Sequence, residues 1–100
     1  MIRIPTNRPL TLPGEMLLEE FLKPMGVTQS ELAIKAKIPF QRVNQIVRGK
    51  RSVTPDTAMR LAKVLGTSVE LWLNLQLAWD YYEAMHSTKA KEIDQLEKIA

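Results

Sequence analysis

One hundred residues, 45% of them apolar and 25% charged, give one domain's length and an ordinary globular composition. No apolar run approaches the ~20 residues of a membrane span, and the absence of cysteine excludes disulfides and thiolate metal sites. The start, MIRIPTNRPLTLPG, is broken by Pro, Thr and Arg and has no signal-peptide core, so a cytoplasmic location is expected.

Pro5, Pro9 and Pro13 favour extended backbone, and residues 1–13 are read as an N-terminal arm. A first helix is predicted over 14–23. Leu17, Leu18, Phe21 and Leu22 form its apolar face, Glu15, Glu19 and Glu20 suit the positive end of its dipole, and Pro24 and Gly26 end it. Thr28 and Glu31 make a capping box for a second helix. Its apolar positions are Leu32, Ala33 and Ala36, and it stops near Lys37 because Pro39 cannot join a helix interior. The third helix covers 39–48, with Pro39 in its first turn and Gly49 after its end. Thr54 caps the fourth, with Pro55 at its first position, the stripe Ala58, Leu61, Ala62 and Leu65, and Gly66 as its stop. Ser68 caps the fifth, over 69–83. The tail, 85–100, has the composition for one weak extra helix that would turn Ile93, Leu96 and Ile99 inward. No strand alternation stands out. The expectation is an all-α protein: a five-helix domain over 14–84 with short connections, an arm before it and a tail after it.

The net charge of +3 decides little, but its distribution is uneven. Lys35, Lys37, Arg42, Arg48, Lys50 and Arg51 follow one another with no Asp or Glu between them, whereas residues 70–100 lean acidic. Such a basic block suits an anionic partner, although a solvated helix face accounts equally well for a charge run alone. On a wheel of 100° per residue, Val43, Ile46 and Val47 share one arc of the third helix. Gln41, Asn44, Gln45 and Arg48 share the opposite arc, with Arg42 on its flank. Asn and Gln pair bidentately with adenine and Arg with guanine in a major groove about 12 Å wide, which admits one helix. Phe40, at the edge of the apolar arc, suits either the core, the preferred reading, or a thymine methyl. Thr28 and Gln29 open the second helix, where free N–H groups attract a phosphate. Ala33 is small enough for helices two and three to cross closely. Lys50 and Arg51 can reach a further phosphate.

The fifth helix carries more apolar residues than one face needs. Leu71, Trp72, Leu75, Ala78, Trp79 and Tyr82 span one arc, read as core, and Leu73, Leu77 and Tyr81 form a second stripe. Contiguous exposed apolar surface marks association sites, so this stripe is the candidate homodimer interface, unless the tail folds over it. A dimer would place two reading helices in successive major grooves about 34 Å apart on a roughly palindromic operator.

Catalysis has no support in these residues. The single histidine, His86, stands in a polar tail, and neither a phosphate loop, a metal-ligand spacing nor a nucleophile–base pair occurs. No cofactor is expected.

Residues 28–51 resemble the helix-turn-helix of the phage-repressor-like (Xre/Cro) superfamily, through Gln29, Leu32, Ala33, Ile38, Val43, Ile46 and Gly49. The longer pattern over 13–79, PGEMLLEEFLKPMGVTQSELA and RVNQIVRGKRSVTPDTAMRLAKVLGTSVELWLNLQ, is similar to HigA-type antitoxins, most of all from Arg42 to Arg51 and at Trp72 and Gln76. The superfamily commonly has Gly at the position of Lys37, where the turn wants a left-handed backbone; Lys there costs roughly 1 kcal/mol. Pro39 stands where Ser or Thr often caps the reading helix. The resemblance implies a homodimer that binds an operator, represses its own operon and neutralises a RelE-like ribonuclease toxin. Two other readings stay open: a stand-alone Xre-family repressor without a toxin, and a protein-interaction module that has lost DNA readout. The toxin surface could be the arm at 2–12 or the tail beyond Met85, and nothing in the residues chooses between them.

Overall fold

Six helices and their connections make up residues 10–99, which are the residues described by the structure, a computed structural model; no strand occurs among them. The arm expected at 1–13 therefore lies mostly outside the described residues. Helix α1 covers 13–25 as three contiguous pieces: an α-turn at Pro13–Met16, a π segment at Leu17–Leu22 and a closing turn at Lys23–Met25. The others are α2 (Gln29–Ala36), α3 (Phe40–Val47), α4 (Pro55–Leu65), α5 (Val69–Met85) and α6 (Lys89–Asp94).

The first helix departs from expectation at both ends. Pro13 begins it rather than closing the arm, since proline's missing N–H is no loss in a first turn. Pro24 does not end it. A proline ring normally strikes the carbonyl four residues back. Here the ladder has already slipped by one residue, with the Lys23 N–H donating to the Leu18 carbonyl, and the wider turn carries Pro24 inside. Gly26, with φ 67°, is the residue that stops the helix.

The remaining caps stand where the sequence places them. Thr28 and Glu31 exchange hydrogen bonds of 3.1 and 3.0 Å, and the Thr54 and Ser68 hydroxyls accept from the N–H groups of Thr57 and Leu71.

All these helices close on one core. Met16, Leu17 and Leu22 of α1, Leu32 of α2, Val43 and Ile46 of α3, Leu61 of α4 and Trp72 of α5 are buried together. Each such side chain contributes about 1.5–3 kcal/mol relative to exposure. Trp72 has no solvent exposure; its ring lies 5.4 Å from that of Phe21 and its indole N–H donates to Thr67 Oγ1 at 2.8 Å.

The fifth helix does not bury the whole arc expected of it. Only Trp72 and Leu75 are buried; Leu71, Trp79 and Tyr82 are half-buried and Ala78 is exposed. The reason is length. α5 has 17 residues against 11 in α4, the helix it packs on most extensively, and its C-terminal turns run past the core. The tail likewise forms a helix, α6, but not the inward-facing one expected. Ile93, Leu96 and Ile99 are exposed, because α6 packs on the protruding end of α5, where there is no core to enter.

A close interhelical approach involves a residue with no side chain. A Cβ on Gly14 would collide with the Ile46 carbonyl oxygen and lie 2.8 Å from Val47 Cα, so the start of α1 rests directly on the backbone of α3. Both helices must move apart to admit a methyl group. Gly14→Ala should lower the unfolding free energy by about 1–3 kcal/mol, the range for overpacking, in a urea titration. A stability equal to wild type would show that the two backbones do not meet there.

Candidate nucleic-acid interface

Helices α2 and α3 are joined by Lys37, Ile38 and Pro39, and the turn is strained. Lys37 adopts φ 55° and ψ 47°, the only left-handed non-glycine conformation among the described residues. Burial explains why it is kept: Ile38, the next residue, is buried in the core, and its N–H returns to the Ala33 carbonyl at 3.0 Å. A second support comes from α4. Arg60 Nη1 donates to the carbonyls of Ala36 and Lys37 at 3.0 and 3.3 Å, while its Nε donates to Asp56 at 2.9 Å. A guanidinium held against the C-terminal carbonyls of α2 also suits that end of the helix dipole. Sequence reading missed Arg60, since nothing in an α4 surface position announces a carbonyl 23 residues away. Pro39 supplies no side-chain cap to α3, as its chemistry demands, but its carbonyl accepts from the N–H groups of Arg42 and Val43.

This turn aims α3 outward. Val43 and Ile46 are buried and Val47 is partly so, which leaves the opposite arc at the surface. Gln41 and Arg48 are exposed, and Arg42, Asn44 and Gln45 are half-buried. Phe40 is 50% exposed, so its preferred assignment to the core is wrong: one turn before Val43 it starts the helix at the domain edge, beyond the core's cover. Lys50 and Arg51, in the loop after α3, are exposed. Gly49, with φ 73°, turns the chain there.

The polar side chains are tied to one another. Asn44 Nδ2 donates to Gln29 Oε1 at 3.1 Å, joining α3 to the start of α2. Arg51 Nε donates to Gln45 Oε1 at 2.8 Å. The half-buried Val53 N–H, at the end of the same loop, donates to Gln76 Oε1 of α5 at 2.8 Å, and Gln76 Nε2 donates to Asp80. The expected anion site at the start of α2 is narrower than its residues suggest. The Thr28 N–H and hydroxyl are both engaged by Glu31, and the open donors of that first turn are the N–H groups of Gln29 and Ser30.

The charges around this face are of one sign over a long stretch: from Leu32 to Pro55 no carboxylate side chain occurs, and Asp56, the next one, is paired with Arg60 at 2.9 Å. Among the described residues no cluster of His, Cys, Asp or Glu could hold a metal ion, and no helix is long and apolar enough to cross a membrane.

Two short helices crossed at a tight turn, the second with a buried back and an open polar front, define a helix-turn-helix protein. The helix-turn-helix family profile matches residues 18–72. Virulence-associated protein I of Dichelobacter nodosus is 46% identical over 72% of this chain and 67% of its own. Antitoxin HigA-1 of Vibrio cholerae is 39% identical over 77% of this chain and 71% of its own. Among solved structures, the Pseudomonas aeruginosa antitoxin HigA with the higBA promoter superposes with a TM-score of 0.83 at 34% identity, covering 93% of this chain and 100% of that one. The chain belongs to the HigA-type antitoxin family, within the Xre/Cro-like helix-turn-helix superfamily.

Lys37→Gly tests the strain in the turn. A non-glycine residue costs about 1–2 kcal/mol in this conformation, and glycine returns roughly 0.5–1 kcal/mol of that through its freer unfolded chain. The variant should melt a few degrees higher than wild type by circular dichroism. A lower melting temperature would mean that the Lys37 side chain, not the backbone angle, governs the turn.

Proposed function

We propose that this protein is the antitoxin of a toxin–antitoxin module: a homodimer that binds a palindromic operator, represses its own operon and neutralises a RelE-like ribonuclease toxin. The observation that carries the DNA reading is the outward face of α3. Gln41 and Arg48 are exposed, Asn44 and Gln45 are half-buried and Arg42 flanks them, on a helix whose back is buried. In this reading α3 enters the major groove. Gln41, Arg42, Asn44 and Gln45 face base edges, and Phe40 meets a thymine methyl from its exposed position. Arg48, Lys50, Arg51 and the Gln29 end of α2 hold phosphates. Thr28 acts through the cap that shapes this end. The Pseudomonas aeruginosa relative's complex with its promoter supports a DNA partner for the family.

The dimer reading rests on α5. Leu77 is 67% and Tyr81 65% exposed, one turn apart, with Leu73 half-buried beside them. No other helix among the described residues covers this stripe. A second copy meeting it along the helix would bury it in a self-complementary contact.

Fluorescence anisotropy with the DNA upstream of the gene tests DNA binding. The affinity should fall with salt with a log–log slope near −0.9 per phosphate neutralised. Gln41→Ala should cost about 1–3 kcal/mol on the native operator and relax preference at one base pair. Lys50→Ala should weaken all sequences alike and reduce the slope by about 1. Salt-independent binding, or base preferences untouched by Gln41→Ala, would overturn the docking. Co-purification with the product of the neighbouring gene, and loss of that product's ribonuclease activity in the complex, tests the antitoxin reading.

Leu77→Asp with Tyr81→Asp should leave the far-ultraviolet spectrum intact, because both side chains are mostly in solvent. Sedimentation should then report a monomer where wild type is a dimer. Dimers in the double variant would place the interface elsewhere.

A further inference from the structure

The bond between Arg51 and Gln45 has a polarity that chemistry alone dictates. Arginine Nε carries a hydrogen and offers no acceptor. Its 2.8 Å contact with Gln45 can only be Nε–H donating to Oε1. The orientation of this amide is thus determined: its oxygen is turned toward the Arg51 guanidinium in the loop, and its NH2 group lies away from that cation. The Asn44–Gln29 bond carries no such constraint, since either of two amides can be turned over.

We infer that Gln45 and Arg51 form a donor-only reading unit, which selects guanine over adenine at the base pair facing Gln45. This rests on the DNA-binding reading above and gives it a base. Adenine presents N7 as acceptor and its N6 amino group as donor, and a glutamine reads that pair with its oxygen and its NH2 together. Here one lone pair of the oxygen is taken by Arg51, and the guanidinium beside it repels the amino hydrogens that adenine would bring to the other. Guanine presents two acceptors, O6 and N7, and both suit an NH2 group with a cation at its side. The freely rotating glutamine expected from sequence would favour adenine; the bonded one favours guanine. Arg51 is then a positioning residue for a base contact as well as a phosphate ligand. The loop supports that role: Gly49 at φ 73° turns it, and the Val53 N–H anchors its far end to Gln76.

The test is binding of the full-length protein to an operator library carrying all four bases at every position. Gln45→Ala identifies the position that Gln45 reads. At that position wild type should prefer guanine to adenine by roughly ten-fold or more. Arg51→Met frees the Gln45 oxygen, and the guanine-to-adenine ratio there should fall by roughly ten-fold, beyond any general loss of affinity. Lys50→Met, a loop cation with no side-chain bond to the reading helix, should weaken all members and leave the ratio unchanged. Gln45 and Arg51 stand at the surface and outside the core, and matching melting curves would confirm that each variant folds. A wild-type preference for adenine, a position-independent effect of Gln45→Ala, or an unchanged ratio in Arg51→Met would overturn the inference while leaving DNA binding intact. Failure of wild type to bind any member would overturn both.

Discussion

The constraint on which this structure depends is that a helix of eight residues, α3, must be gripped on one side and free on the other. Isolated helices of that length do not hold together in water. α3 exists because Val43 and Ile46 are buried among Met16, Leu32, Leu61 and Trp72. Burial of its back would still allow it to roll. Gly14 limits that freedom, since the start of α1 sits on the backbone at Ile46 and Val47 with no room for a methyl group. The polar arc is therefore a consequence of packing, and its direction is set by residues on the other side of the helix.

The turn before α3 shows how a lysine is accommodated in a left-handed conformation that glycine would adopt more cheaply. Lysine in a left-handed conformation is unfavourable by about 1–2 kcal/mol. A charged hydrogen bond contributes about 1.5–3 kcal/mol, and Arg60 reaches two carbonyls at the strained end of α2. Arg60 is only half-exposed and also ion-paired with Asp56, so the upper part of that range is discounted. The two effects are comparable, and burial of Ile38 just beyond the turn tips the balance toward the folded geometry. The turn thus keeps its shape without the glycine.

Much of this was legible in the amino-acid sequence because the signals are local. Capping by Thr28, Thr54 and Ser68, the stop at Gly66 and the wheel of α3 all depend on residues within one or two turns. What escaped was non-local. The π segment, and so the survival of the helix past Pro24, depends on a ladder slip that no residue type announces. The roles of Gly14 and Arg60 need the position of a second helix. The exposure of Phe40, Ala78, Ile93, Leu96 and Ile99 follows from where the core stops, which periodicity cannot say. Gln45 and Arg51 could each be marked as polar on a wheel, but their bond joins a helix to a loop that only the fold brings back.

The fifth helix links the two proposed surfaces. Its first turns are anchored in the core by Trp72 and Leu75, and its later turns carry Leu77 and Tyr81 into solvent. Gln76, between these groups, holds the Val53 N–H and so the end of the loop that bears Lys50 and Arg51. Removing that amide would leave a half-buried donor unsatisfied, at about 1–3 kcal/mol. A partner docked on Leu77 and Tyr81 would thus bear on the turn that fixes the basic loop. Two reading helices can enter grooves about 34 Å apart only if the joint between them is stiff. In the proposed dimer, one uninterrupted 17-residue helix, rooted in the core at one end and apolar at the surface toward the other, would supply that stiffness without any further element.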